Sequence, residues 1–110
     1  MKLPNGDRAE VPLARLTSYL LNPQHGEGKH KARVFAAALG LDPSGAEELR
    51  NWLLRIARDG EARPGRVDQY GQRFVIVDKL RYKGREALVR TAWIVRSGRS
   101  DPEFLTAFVE

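Results

Sequence analysis

The 110-residue chain contains no cysteine and only two histidines. The absence of cysteine excludes disulfides, thiolate metal sites and catalysis by a cysteine nucleophile. No HExxH-like spacing builds a zinc site from the two histidines, so neither a metal nor another cofactor is expected. The G-K-[ST] ending of a phosphate-binding P-loop and the G-x-S-x-G turn of a nucleophilic serine are also missing.

Long apolar runs are missing as well. Residues 1–5 lack the apolar core of a signal peptide, and no run approaches the length of a membrane span. These features predict a cytoplasmic protein that makes no contact with a membrane. The length, with 42% hydrophobic residues, is suited to a single domain over residues 1–110.

The charges are unbalanced towards positive. Nineteen lysines and arginines against fourteen acidic residues give a formal net charge of +5. Basic small domains are attracted to phosphate polymers through counterion release, or to acidic protein partners. Charge alone leaves both classes of partner open.

Apolar residues recur at spacings of three and four in the first half of the chain, which predicts helices. The spacing of Leu13, Leu16 and Leu20 indicates a helix over about 12–21 with one apolar face. Pro23 ends it, because the residue before a proline avoids the helical region.

Two further helices are predicted. One spans about 29–39 and is closed by Gly40 in a left-handed conformation. The other begins at the capping-box spacing of Ser44 and Glu47 and ends at Gly60. Their buried stripes are expected to contain Val34, Phe35, Ala38 and Leu39 in the first, and Leu49, Trp52, Leu53 and Ile56 in the second.

After Gly60 the apolar period changes to two, which predicts strands. Their short connections require mostly antiparallel pairing. The fold class is therefore α+β, with about three N-terminal helices packed on a three- or four-stranded antiparallel meander. The helical part is about 12–60 and the sheet part about 62–110. Strands are predicted over 66–70, 73–82, 86–96 and 104–109, with turns at Gly71-Gln72 and Lys83-Gly84.

Both histidines, His25 and His30, lie in one glycine-containing stretch together with Lys29, Lys31 and Arg33. Histidine is the natural proton carrier at neutral pH, and close cations suit a substrate that is or becomes anionic. The alternative interpretation is a solvated basic loop that leads into a helix.

Polar residues of the predicted sheet supply further candidates. Arg90 lies in mid-strand between Leu88 and Ala92, where an arginine usually has a structural ion-pair partner or a bound phosphate. Thr106 offers a hydroxyl if the sheet faces the histidine loop. Tyr70, before a glycine, is either hairpin packing or a second proton carrier.

A set of these residues suits metal-independent cleavage of RNA. The 2′-hydroxyl must lose a proton as it attacks its own phosphate, and the leaving oxygen must gain one. An imidazole can serve as acid or base, and lysine and arginine can stabilise the developing charge. The catalytic candidates are His25, Lys31, Arg90 and Thr106, and the substrate-binding candidates are Lys29, His30, Arg33 and Tyr70.

Three segments resemble a family of small bacterial proteins known only as a domain of unknown function. The resemblance covers essentially the whole chain, and the family carries no assigned activity. The matching segments are Leu20-Leu21-Asn22-Pro23-x-His25-x-x-Gly28-x-x-Lys31-Ala32-x-x-Phe35, Val89-Arg90-Thr91-x-Trp93-Ile94 and Leu105-Thr106-Ala107.

The layout is also similar to the metal-independent ribonuclease toxins related to barnase, EndoU, the tRNA-cutting colicins and RelE. This resemblance implies that His25 is the acid or base, that Lys31 and Arg90 bind phosphate, and that Thr106 is an accessory hydroxyl. It implies RNA as substrate and an acidic antitoxin or immunity protein as partner. The chain departs from this pattern because no second proton carrier lies on the sheet unless His30 or Tyr70 supplies it.

A second hypothesis assigns the same residues to binding and not to catalysis. The chain would then be a basic module that binds a protein partner or nucleic acid, and His25 would hold its loop by hydrogen bonds. The two hypotheses differ in what loss of the imidazole does to activity and to stability.

Overall fold

Helices occupy the N-terminal half of the chain and strands the C-terminal half, as the change of apolar period predicts. The computed structural model describes all 110 residues. No helix has the length and apolar character needed to cross a membrane. The elements are α1 (Leu13–Arg15), continued by a π-helical turn (Leu16–Leu20), α2 (Lys29–Leu39), α3 (Ala46–Asp59), β1 (Ala62–Asp68), β2 (Gly71–Tyr82), β3 (Arg85–Arg96) and β4 (Glu103–Val109).

The first helix contains a π-turn that the regular periodicity does not predict. The Leu21 N–H donates to the Leu16 carbonyl across this wider turn, at 2.9 Å. Leu16, Leu20 and Leu21 are consequently all buried. Leu13, which the spacing places on the apolar face with Leu16 and Leu20, is 38% exposed.

The bounds of α2 are those predicted, and Gly40 closes it at φ 66°. Phe35 and Leu39 are buried with Ala32, and this stripe faces β3 and β4. The expectation that Val34 is buried is wrong, since its side chain is 46% exposed. One residue along a helix is a rotation of about 100°, which turns Val34 away from the sheet.

The start of α3 differs in detail from the predicted capping box. A short 3-10 turn precedes it, and the Asp42 carboxylate accepts from the Ser44 N–H at 2.9 Å. Ser44 therefore does not cap the helix, which begins at Ala46. The predicted apolar stripe is confirmed: Leu49, Trp52, Leu53 and Ile56 are all buried.

The four strands form an antiparallel meander in the order β1-β2-β3-β4. Strand β1 starts at Ala62, four residues before the predicted strand, because a bulge between Pro64 and Val67 lets the edge strand pass its proline. The prediction of a turn at Gly71-Gln72 is wrong, since both residues lie within β2.

Gly71 is required by a close approach of two strands. Its φ is 142°, and a Cβ at this position would lie 2.2 Å from the Val95 carbonyl oxygen. The other predicted turn, Lys83-Gly84, is confirmed, with φ values of 48° and 80°. These two positive values are those of the two-residue hairpin turn that matches strand twist.

The core contains a buried hydrogen bond between Thr91 and Trp93. The Trp93 ring also packs edge-on against Phe104, with ring centres 5.4 Å apart, and both rings are buried and form no exposed stacking surface. The Thr91 hydroxyl donates to the Ile76 carbonyl at 2.8 Å and accepts from Trp93 Nε1 at 2.8 Å. One threonine thus satisfies the indole N–H of the largest buried side chain.

Thr91→Val keeps the shape of this residue and removes the hydroxyl. The variant is expected to lose about 1–3 kcal/mol of unfolding free energy, because the Trp93 N–H is left buried without an acceptor. Urea denaturation measures the change, with Thr17→Val as a control outside the core. Equal loss in both variants would contradict the role given to the Thr91 hydroxyl.

Candidate functional site

The polar side chains of Tyr19, Lys31 and Thr106, which come from three different elements, lie within hydrogen-bond distance of one another. Lys31 Nζ donates to Thr106 Oγ1 at 2.9 Å and to Tyr19 Oη at 3.2 Å. The two hydroxyl oxygens lie 3.2 Å apart, within hydrogen-bond distance. We call these three residues the Tyr19 cluster.

Local backbone features bring the cluster together. Tyr19 lies in the π-turn, and such turns are frequent at functional sites. Thr106 follows a bulge in β4, where Leu105 is left unpaired between Phe104 and Thr106. Gly28, before Lys31, lets the start of α2 approach, because a Cβ there would lie 2.4 Å from the Tyr19 carbonyl oxygen.

Positive charge surrounds the Tyr19 ring. Arg15 Cζ lies 5.6 Å and Lys31 Nζ 5.7 Å from the ring centre. Partial burial raises the pKa of the Tyr19 hydroxyl, but the hydrogen bonds of Thr106 and Lys31 and the charges of Lys31 and Arg15 together outweigh it. The resulting pKa lies below the ordinary value for tyrosine, which favours the phenolate.

His25 lies beside this ring in a defined orientation. Its ring meets that of Tyr19 edge-on, with centres 5.0 Å apart and planes at 86°. His25 Nδ1 accepts from the N–H groups of Glu27 and Gly28 at 3.0 and 2.9 Å. A neutral imidazole that accepts at Nδ1 carries its proton on Nε2. In this tautomer His25 can donate a hydrogen bond but has no free nitrogen lone pair.

The structure thus brings together three of the four predicted catalytic residues, His25, Lys31 and Thr106. Arg90 is placed elsewhere: its Nε is 2.7 Å from Glu110 Oε1, and it lines a separate cleft of about 440 Å³. An ion-pair partner was one of the two alternatives for this residue.

The predicted substrate-binding residues lie outside the cluster. Lys29, His30 and Arg33 are in the first turns of α2, where His30 and Arg33 are exposed. Tyr70, 58% exposed, lies in the turn between β1 and β2. None of these four side chains makes a hydrogen bond to the Tyr19 cluster.

Tyr19 itself was missed by sequence reasoning. Two features pointed towards it: it comes six residues before His25, and it is a polar aromatic residue between the buried Leu16 and Leu20. Helical spacing alone does not direct it towards Lys31, because the π-turn alters the phase. No group of three or more His, Cys, Asp or Glu side chains is arranged to hold a metal ion.

Comparison with known proteins places the chain in a family. A family model described as "Domain of unknown function (DUF6883)" matches residues 2–110. The chain belongs to this family. This agrees with the resemblance of the sequence to a domain of unknown function. The more distant likeness to ribonuclease toxins stays a prediction. A search of curated proteins finds no match for this family member.

A solved structure shares the fold of this family member. It is described as "Contact-dependent growth inhibition toxin - immunity protein complex from Klebsiella pneumoniae 342". The matched chain is 12% identical with a TM-score of 0.67, and the match covers 94% of this chain and 92% of that one. At this identity the likeness establishes the fold.

Proposed function

We propose that this chain is a toxin-type domain that cleaves RNA without a metal ion, using the Tyr19 cluster. The observation that carries the proposal is uncompensated positive charge around an acidified hydroxyl. Most arginines of the chain form ion pairs with carboxylates, whereas Lys31 and Arg15, both close to the Tyr19 ring, form none. Such a site favours an anionic ligand such as a phosphodiester.

The reaction follows from the proton positions in the cluster. Lys31 can only donate hydrogen bonds, and Thr106 can donate as well, so both can stabilise a Tyr19 phenolate. The phenolate takes the proton of a ribose 2′-hydroxyl as the 2′-oxygen attacks phosphorus. The bond from phosphorus to the 5′-oxygen breaks, and that oxygen takes a proton from solvent. The products are a 2′,3′-cyclic phosphate and a 5′-hydroxyl.

The other members of the site act on charge and position. Lys31 keeps one N–H free of the cluster, which can stabilise the charge that develops on the phosphate. His25 Nε2–H can donate to a phosphate oxygen, and its ring fixes the orientation of Tyr19. Lys29, His30 and Arg33 form a basic approach along α2. Arg90, paired with Glu110, has no part in this proposal.

The proposal is tested by incubating purified protein with RNA in excess chelator. Cleavage with 5′-hydroxyl and cyclic phosphate ends is expected. The same RNA with 2′-O-methyl groups should resist, because it lacks the attacking nucleophile. Cleavage of both RNAs, or of neither by folded protein, would overturn the proposal.

Charge also favours an acidic protein partner. The net charge of +5 is complementary to an acidic surface, and the structurally similar chain comes from a toxin–immunity protein complex. We propose that an acidic antitoxin or immunity protein neutralises this domain, which would act as one domain in the cytoplasm.

One observation favours a second function, a basic binding module without catalysis. The two hydrogen bonds to His25 Nδ1 are those of a residue that holds its loop in place. A loop-holding histidine suits a surface that presents Lys29 and Arg33 to a partner as well as it suits an enzyme. RNA cleavage therefore decides between the two functions, and variants of His25 define what the imidazole does in either.

His25→Ala is expected to lower the free energy of unfolding by about 1–2 kcal/mol, because two backbone N–H groups lose their acceptor. His25→Asn should restore most of this loss, since its side-chain oxygen can accept in place of Nδ1. Chemical denaturation of both variants measures the effect.

RNA cleavage by the same variants separates the roles of the imidazole. If His25 is a positioning residue, the asparagine variant should cleave RNA no more than about tenfold more slowly than the unchanged protein. Loss of a general acid or base would lower the rate by about 10²-fold or more. A stable His25→Asn variant without activity would instead make His25 the proton carrier that the sequence predicts.

A further inference from the structure

A small cleft is lined by Arg15, the same residue that lies over the Tyr19 ring. Its volume is about 250 Å³, below the ~300–1,000 Å³ of sites that enclose drug-sized ligands. It therefore has room for one unit of a longer substrate. We call it the Arg15 cleft, and it is lined by Glu10, Pro12, Arg15, Arg96, Glu103 and Phe104.

Arg15 lines the cleft and also lies over the ring of Tyr19. Its Nε donates to the Leu105 carbonyl at 3.1 Å, and its guanidinium lies over the Tyr19 ring. These contacts hold the side chain in one orientation. The two Nη groups have no protein partner and remain able to bind an anion in the bidentate manner typical of arginine.

The other charged residues of the cleft do not form ion pairs with Arg15, so Arg15 can bind an anion. Glu103 lies 2.8 Å from Arg96 Nε and 3.5 Å from Arg99 Nη1, so two arginines already compensate this carboxylate. Glu10 forms no ion pair with Arg15. Arg15 is thus the cation of the cleft that has no carboxylate partner.

We propose that the Arg15 cleft binds the RNA phosphodiester next to the one that is cleaved, with the Nη groups of Arg15 as its ligands. This inference rests on the proposed function, because it takes the Tyr19 cluster as the place of cleavage. A substrate phosphate at Tyr19 has its neighbouring nucleotide beside Arg15, whose guanidinium carbon is only 5.6 Å from the Tyr19 ring centre.

Binding of a short 2′-O-methyl oligoribonucleotide, followed by fluorescence anisotropy at increasing salt, tests the inference without requiring cleavage. Arg15→Gln is expected to weaken binding about tenfold and to reduce the slope of log K against log salt by about one. Arg15→Lys should keep the slope. Binding of a dinucleoside monophosphate, which has a single phosphate, should respond to Arg15→Gln much less than binding of the longer oligonucleotide.

Arg55→Gln is the matched control, because Arg55 is an exposed arginine of α3 that does not line the cleft. An unchanged slope in Arg15→Gln, or an equal change in the control, overturns the inference even if RNA is cleaved. A slope change in a protein that cleaves no RNA supports the phosphate subsite while the proposed reaction fails. Absence of oligonucleotide binding by the unchanged protein overturns both.

Discussion

Replacing Tyr19 by phenylalanine is expected to lower the rate of RNA cleavage by about 10²–10⁴-fold, the usual contribution of a general acid or base. The substitution removes only the hydroxyl that lies near Lys31 and Thr106. The ring remains in place against His25 and Arg15, and Lys31 keeps its 2.9 Å hydrogen bond to Thr106. The fold should therefore be preserved.

Single-turnover cleavage of RNA in chelator measures this loss, and thermal unfolding confirms that the variant is folded. Tyr70→Phe is the matched control, because Tyr70 is exposed and makes no hydrogen bond to the cluster. It should cleave at the unchanged rate. If Tyr19→Phe is as active as Tyr70→Phe, the hydroxyl of Tyr19 takes no part in the chemistry.

The pH dependence of the rate has a definite sign. A base acts in its deprotonated form, so the rate should rise with pH until Tyr19 is ionised. Since the pKa of Tyr19 is lowered by its neighbours, this rise should end at a lower pH than for an unperturbed tyrosine. The rising limb should be absent from the residual activity of Tyr19→Phe.

Much of the fold follows from apolar spacing because the helices and strands each bury one face. The bounds of α2 and the Lys83-Gly84 turn agree with the sequence. The errors occur where tertiary contacts override local preference. Pro64 looks like a strand breaker, yet it is accommodated in a bulged edge strand; Gly71 looks like a turn residue, yet it serves a close strand approach.

The site was less accessible to sequence reasoning. The chemistry of Lys31 and Thr106 makes them candidates from sequence alone, and the fold brings them into contact although 75 residues separate them. Regular helical spacing does not predict the position of Tyr19, because Tyr19 lies in the π-turn over Leu16–Leu20. The sequence leaves an ion-pair partner and a bound phosphate as alternatives for Arg90, and only the pairing of β3 with β4 reveals Glu110 as its partner.

The charge of Lys31 should be almost as important as the hydroxyl it contacts. Lys31→Met keeps the length of the side chain and removes its three N–H donors. We expect cleavage to fall by about 10²–10³-fold, as when one donor to a developing oxyanion is removed. The pKa of Tyr19 should rise as well, because the hydrogen bond and charge of Lys31 both lower it in the unchanged protein.

These two effects have separate measurements. Ultraviolet titration of tyrosinate, taken as the difference from Tyr19→Phe, follows Tyr19 directly, and the pH–rate profile of Lys31→Met should move to higher pH in parallel. Lys29→Met removes an equal charge two residues away, but Lys29 contacts neither hydroxyl and is not among the groups that lower the pKa of Tyr19, so this variant should leave the titration of Tyr19 unchanged even where it weakens RNA binding. A titration of Tyr19 unchanged by Lys31→Met would contradict the coupling. A shifted titration with undiminished cleavage would show that the coupling exists but that chemistry occurs elsewhere.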